Sequence, residues 1–160
     1  MIETERRFLL SRLPQSEPHQ TWNLQQWYIK LEGQWIRIRS AQSETGQIRL
    51  THTLKTRIEV GSSEEIERDI SLEEFNEWMG LIQKSPHRRI SKIRRVWEDT
   101  HIWEIDQFTD GIGLIIAEVE ISDLGQYLQI PAYIQPLILE EITGRPGFGN
   151  RNLAMKNSNS

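Results

Sequence analysis

The 160-residue chain contains no cysteine, so disulfides, thiolate metal sites and cysteine nucleophiles are excluded, and a reducing compartment suits it. Long apolar runs are also missing. The longest, around Ile112 to Val119, is far too short to span a bilayer, and Met1-Ile2-Glu3-Thr4-Glu5-Arg6-Arg7 lacks the apolar core of a secretory leader. A cytoplasmic location is the expectation. Neither sign of charge prevails: 19 Lys and Arg stand against 23 Asp and Glu, and a net charge of -4 gives no general attraction to nucleic acid or a membrane surface. An anion site must therefore arise from local clustering. His19, His52, His87 and His101 show no ligand spacing, and there is no nucleophile elbow, zinc-protease helix or phosphate-loop lysine. No low-complexity tract or internal repeat marks a linker. The length suits a single domain, expected over residues 1–155 with a frayed tail at Lys156 to Ser160.

What is present is period-2 alternation. Ile2, Thr4, Arg6 and Phe8 fall on one side of the first segment while Glu3, Glu5, Arg7 and Leu9 fall on the other, which predicts a strand. Further strands are expected at Thr21 to Leu31, Trp35 to Arg39, Ile48 to Arg57, Ile66 to Ile70, Arg89 to Trp97, Ile102 to Asp106 and Ile115 to Ile121. One helix interrupts them. Ser71 with Glu74 makes a capping box, and Phe75, Trp78, Met79 and Ile82 form its apolar stripe. After Asp123 the alternation stops, and Pro131, Pro136, Gly144, Pro146, Gly147 and Gly149 divide the tail into turns and loops. The tryptophans, including Trp22, Trp27, Trp78 and Trp97, read as packing residues.

The strands repeatedly place two like charges at i and i+2, on one face and roughly 7 Å apart, where they repel. The acidic pairs are Glu3/Glu5, Glu65/Glu67, Glu104/Asp106 and Glu118/Glu120; the basic pairs are Arg37/Arg39, Lys55/Arg57 and Lys92/Arg94. The intervening apolar residues, among them Ile36, Ile38, Ile66, Ile93, Trp103, Ile105, Ala117, Val119 and Ile121, need burial under the helix and tail. The charged faces then line either an open solvated sheet, braced by salt bridges, or the inside of a closed barrel, which also removes strand edges. A lumen holding both signs suits a polyanion bridged to carboxylates by Mg²⁺ or Mn²⁺, with Arg forks and Lys charges on the phosphates.

Glu3-x-Glu5-x-Arg7 followed by Phe8-Leu9 resembles the N-terminal E-x-E-x-K motif of the CYTH superfamily, the triphosphate tunnel metalloenzymes. Trp35-Ile-Arg37-Ile-Arg39, Thr53-Leu-Lys55, Glu65-Ile-Glu67, Lys92-Ile-Arg94, Trp103-Glu-Ile-Asp106 and Ala117-Glu118-Val-Glu120 agree with the family in order. Glu141-Ile-Thr143-Gly144 with Asn150-x-Asn152-Leu-Ala resembles the family's C-terminal ending. The resemblance implies an α+β, mainly β fold: an eight-stranded antiparallel closed tunnel barrel with a few flanking helices. It implies metal-dependent hydrolysis of a triphosphate, with inorganic tripolyphosphate first and a nucleoside or thiamine triphosphate after it. A polyphosphate- or nucleotide-binding module with weak catalysis is the alternative, and a class IV-type adenylyl cyclase a minor one. A homodimer is a further expectation, since small members often pair.

Carried over by residue, the resemblance makes Glu3, Glu5, Glu118 and Glu120 the main metal ligands. Glu65, Glu67 and Asp106 bind metal or orient water, and Arg37, Arg39, Lys55, Arg57, Lys92 and Arg94, with Arg7, hold the triphosphate. Lys92 is the candidate general base, because a neighbouring cation such as Arg94 lowers its pKa; a plain phosphate contact is the other reading. Tyr28, on one face with Lys30, is a second catalytic candidate or else a packing tyrosine. There are two departures from the family pattern. Arg7 stands where the family has Lys and cannot serve as a base, and Ser63 stands where the family commonly has Arg.

Overall fold

In the computed structural model, which describes residues 2–111 and 113–158 with side chains as far as Ala154, each expected strand is present. They are β1 (Ile2–Leu10), β2 (Gln20–Leu31), β3 (Gln34–Ser43), β4 (Ile48–Glu59), β5 (Ser62–Asp69), β6 (His87–Glu98), β7 (Ile102–Phe108) and β8 (Ile115–Ile121). They run in the order β5-β4-β3-β2-β6-β7-β8-β1, and β1 pairs back onto β5 through Ile2 with Glu64, Glu3 with Ser63 and Thr4 with Ser62. The result is an eight-stranded antiparallel closed barrel. Closure leaves the alternating faces with distinct fates: the odd positions of β1 and β3 point into the lumen, and the even ones outward to the packing layers.

Those outer layers are the helix and the tail. α1 (Leu72–Gln83) starts where expected, with Ser71 accepting a hydrogen bond from the Glu74 amide at 3.1 Å, a cap that stabilises by about 1 kcal/mol. Its Phe75, Trp78, Met79 and Ile82 pack on Trp27, Ile29, Ile36 and Ile38 of β2 and β3. The tail residues Leu128, Ile134 and Leu137 cover Phe8, Trp97, Trp103, Ile105, Ala117, Val119 and Ile121. Full burial of a side chain such as Ile105 stabilises by about 1.5–3 kcal/mol.

Two expectations need correcting. Ile66 is not buried but 59% exposed, as are its neighbours Ile58 and Val60, because α1 packs on β2 and β3 and the tail packs on β1, β7 and β8. The tail also holds a strand, β9 (Ile138–Glu141), which pairs with Phe8 to Leu10 on the edge of β1 that β5 leaves after Thr4. Four residues are too few to display alternation. α2 (Asn150–Ser158) begins before the frayed tail expected from Lys156 and runs through it to Ser158; Asn159 and Ser160 lie outside the described residues. Leu153 and Ala154 of α2, with Ile142, pack on Tyr28, Ile90, Phe108 and Ile116, so the helix seats an apolar layer at one end of the barrel. No helix among the described residues is long and apolar enough to cross a membrane.

Candidate functional site in the barrel lumen

The lumen is a cavity of about 740 Å³ whose wall carries Glu3, Glu5 and Arg7 of β1, Arg37 and Arg39 of β3, Lys55 and Arg57 of β4, Glu65 and Glu67 of β5, and Glu118 and Glu120 of β8. Tyr28, Arg94 and Glu104 complete the sequence-expected set on that surface. Lys92 and Asp106 do not belong to it. Both side chains are wholly buried, with Lys92 Nζ 2.6 Å from Asp106 Oδ2.

Asp106 is saturated. Arg94 donates Nε to Oδ1 at 2.8 Å and Nη2 to Oδ2 at 2.9 Å, and its Nη1 reaches Glu104 at 2.9 Å. Against the upward push of burial, Arg94 and then Lys92 hold the Asp106 carboxyl well below the usual carboxylate range. Burial takes Lys92 down to about 8, opposed by Asp106 and assisted by Arg94. The pair is a brace that aims the Arg94 guanidinium at the lumen.

The wall formed by β1, β5 and β8 is in the opposite state. A hydrogen bond to Glu65, followed by burial, pushes Glu3 up to about 8, so the two carboxyls share a proton. Burial and the charge of Glu118 push Glu5 up to about 7. Glu118 itself, despite burial, is held down to about 2 chiefly by Arg7, whose Nε lies 3.4 Å away. Register explains the crowding: Glu5 pairs with Glu120 and Arg7 with Glu118 across β1 and β8, and Glu3 sits at the β1–β5 seam.

The cationic side is only partly neutralised. Arg37 Nη2 lies 3.4 Å from Glu65 and 3.2 Å from Glu67, which also accepts from Thr53 at 3.1 Å. Arg39 and Lys55 form no ion pair among the described residues. Burial and the neighbouring Arg37 and Arg94 push Arg39 down to about 9. Its Nε donates to Gln26 Oε1 at 2.9 Å, and Gln26 Nε2 donates to Tyr28 Oη at 2.7 Å, leaving the tyrosine hydroxyl proton available to a lumen acceptor. Arg57 reaches the rim, donating to the Gly144 carbonyl at 2.6 Å.

The donor chemistry fits a hard divalent ion. Among the described residues no three acidic or histidine side chains converge as a cage. Yet Mg²⁺ is ordinarily held by one or two carboxylates plus substrate phosphates, and carboxyls that share protons lack the positive charge such an ion brings.

The barrel has counterparts among solved structures. The crystal structure of the inorganic triphosphatase NE1496 aligns over 96% of this chain and 94% of its own, with a TM-score of 0.61 and 26% identity. A second NE1496 structure aligns over 96% and 97%, at TM-score 0.61 and 28% identity. The chain has the fold of the CYTH superfamily of triphosphate tunnel metalloenzymes. The PH1819 protein from Pyrococcus horikoshii OT3 shares the fold, at TM-score 0.59 and 15% identity over 76% of this chain and 78% of that one. No family model matches the sequence, and no curated protein matches it.

The superfamily's closing motif has a structural use here. Glu141 binds Arg6 at 2.6 and 3.0 Å, Thr143 Oγ1 accepts from the Arg7 amide at 3.0 Å, and the Phe148 carbonyl accepts from Arg7 Nη1 at 2.7 Å, so the tail is stitched to the strand bearing Glu3 and Glu5. Gly144, at φ +70°, packs on Val60, where a side chain has neither room nor a favourable backbone. Ser63, buried opposite Glu3 and Arg57, places no cation between them.

Sequence reasoning missed Gln26, Thr51, Trp22 and Trp35. The two tryptophans line the cavity. Each shares the period-2 face of a residue already singled out: Gln26 and Trp22 with Tyr28, Thr51 with Lys55, and Trp35 with Arg37.

Proposed function

We propose that the lumen binds a triphosphate with Mg²⁺ or Mn²⁺ and hydrolyses it, inorganic tripolyphosphate being the first candidate and nucleoside or thiamine triphosphates the next. The observation that carries this reading is the division of one lumen: proton-sharing carboxylates on β1, β5 and β8, and on β3 and β4 the cations Arg39 and Lys55, which form no ion pair among the described residues. The likeness to NE1496, described as an inorganic triphosphatase, supports it.

Glu3, Glu5, Glu65, Glu118 and Glu120 would hold the ion, whose contribution is to neutralise charge on the phosphate oxygens and lower the pKa of water. Arg39, Lys55, Arg37, Arg7 and Arg94 grip the phosphates, most of them as guanidinium forks. Phosphoryl transfer asks little more of a protein than such positioning. Glu67, tied to Arg37 and Thr53, orients the chain's own donors, and Tyr28 offers a hydroxyl proton to a phosphate oxygen. Burial and the Asp106 contact favour a positioning role for Lys92 over that of a base, and for Asp106 an anchoring role over that of a metal ligand.

A panel of tripolyphosphate, ATP and thiamine triphosphate with Mg²⁺ or Mn²⁺ tests the reading by phosphate release. No release in any combination overturns it, as does full activity in Glu5→Gln plus Glu120→Gln. The burial of Lys92, the candidate base, favours a second reading, a polyphosphate-binding module with slow turnover, which tight binding without release would support.

A further inference from the structure

Lys30, Arg88 and Arg151 meet around a single indole, that of Trp35. Arg88 Cζ lies 4.5 Å from the ring centre, Arg151 Cζ 4.9 Å and Lys30 Nζ 6.0 Å. Strand periodicity explains how they come together. Lys30 follows Tyr28 on β2, Trp35 precedes Arg37 on β3 and Arg88 precedes Ile90 on β6, so each extends a lumen-facing row by one step at the α2 end. The register confirms the neighbourhood, with Lys30 opposite Trp35 and Tyr28 opposite both Arg37 and Arg88. Arg151 arrives from the first turn of α2.

None of the three cations forms an ion pair among the described residues, in contrast to Arg94 or Arg37. Cations on a ring face gain from its quadrupole, but they still repel one another. Burial and the nearby Arg151 lower the Arg88 guanidinium, a sign of that crowding. Trp35 and Arg151 also line the same cavity as Arg37, Arg39 and Lys55, and Lys30 and Arg88 lie just beyond that lining, so the cluster borders the lumen at its α2 end.

We infer that Lys30, Arg88 and Arg151 form a distal anion subsite that takes the outer phosphates of a linear polyphosphate longer than the triphosphate seated in the lumen. This rests on the triphosphate reading above and narrows the substrate class within it. A nucleoside is a poorer occupant, because guanidinium groups already occupy the indole where a base would stack. Additional phosphates need only charge and forked donors, which the cluster has to spare.

The test is binding by stopped-flow tryptophan fluorescence with Mg²⁺, which reads association before turnover, using tripolyphosphate, a longer linear polyphosphate and ATP. The wild type is compared with Arg88→Ala plus Arg151→Ala and with the single charge reversal Arg88→Glu. The expected result is that wild type binds the longer polyphosphate about 10-fold or more tightly than tripolyphosphate, that both variants abolish this preference, and that tripolyphosphate affinity stays within about twofold. Three results overturn the inference while leaving the triphosphate reading intact. These are no length preference in wild type, a preference retained by both variants, or equal loss for both polyphosphates with a lowered Tm, which makes the cluster only a latch for α2. ATP gaining as much as the longer polyphosphate, and losing it in the variants, also overturns it. Failure of wild type to bind any of the ligands sinks the triphosphate reading first and this inference with it.

Discussion

Along β6 and β7 the buried charges answer one another: Asp106 takes two bonds from Arg94 and one contact from Lys92, and Glu104 takes the remaining Arg94 nitrogen. At the β1–β5 seam the same residue types are left short of positive charge, so Glu3 and Glu65 share a proton and Glu5 is pushed up to about 7. Spacing in the sequence is identical in both regions, like charges at i and i+2. Only the neighbours across the strand differ. Where register sets Arg94 opposite Asp106 the pair is structural, and where it sets Glu5 opposite Glu120 the site is short of a cation.

The strongest way to break this comparison is to remove the centre of the saturated region. Asp106→Ala leaves Lys92 and Arg94 buried without their partner and is expected to cost about 3–5 kcal/mol in denaturant unfolding. A loss under about 1 kcal/mol would mean that the brace is not structural. The corresponding change at the seam, Glu5→Gln, should cost the metal-free protein almost nothing, because Glu5 already carries a proton through much of the neutral range. The same variant should lose the Tm increase that Mg²⁺ gives the wild type and lower kcat by about 100-fold, a difference of about 2.7 kcal/mol in the barrier.

A pH titration sharpens the contrast further, since the two regions have opposite signs. Folded Glu3 and Glu5 retain protons that the unfolded chain releases above the ordinary carboxyl value of 4.5, so metal-free stability should fall as pH rises from about 4.5 towards about 8. Asp106 and Glu118 are depressed, so what they contribute is present above their unfolded values and lost as pH falls below them. The Tm of the metal-free protein should therefore peak in mildly acid solution. Saturating Mg²⁺ should flatten the descending limb, and an unchanged limb would argue against an ion at Glu3 and Glu5.

Much of this was legible in the sequence because it is written in period 2. Alternation located β1 through β8, Ser71 and Glu74 located the start of α1, and the like-charge pairs located the lumen face. What alternation cannot carry is register. Lys92 and Glu65 look alike as members of charged pairs, but Lys92 pairs across to Phe108 and Leu24 and is enclosed, whereas Glu65 faces Lys55 beside the open lumen. Ile66 was misread for a related reason, since a strand pattern marks an apolar face without saying whether a layer lies over it. β9 escaped notice because its pairing depends on the point at which β5 diverges from β1.

The smallest effect is expected at Lys92, and it bears most directly on how the two regions divide the work. If Lys92 were the general base, Lys92→Met would lower kcat by about 100-fold or more and remove a limb of the pH–rate profile. The geometry argues otherwise. Nζ is wholly buried against Asp106, and Arg94 alone keeps two bonds to that carboxylate. Methionine fills similar volume and removes one buried charge from a network that retains an ion pair, so stability should change by less than about 1.5 kcal/mol. Turnover should fall only severalfold, through looser aim of Arg94, with the shape of the pH profile preserved. Measuring kcat across pH for wild type and Lys92→Met separates the roles: a lost limb moves Lys92 into the chemistry, and a uniform small drop leaves it in the brace.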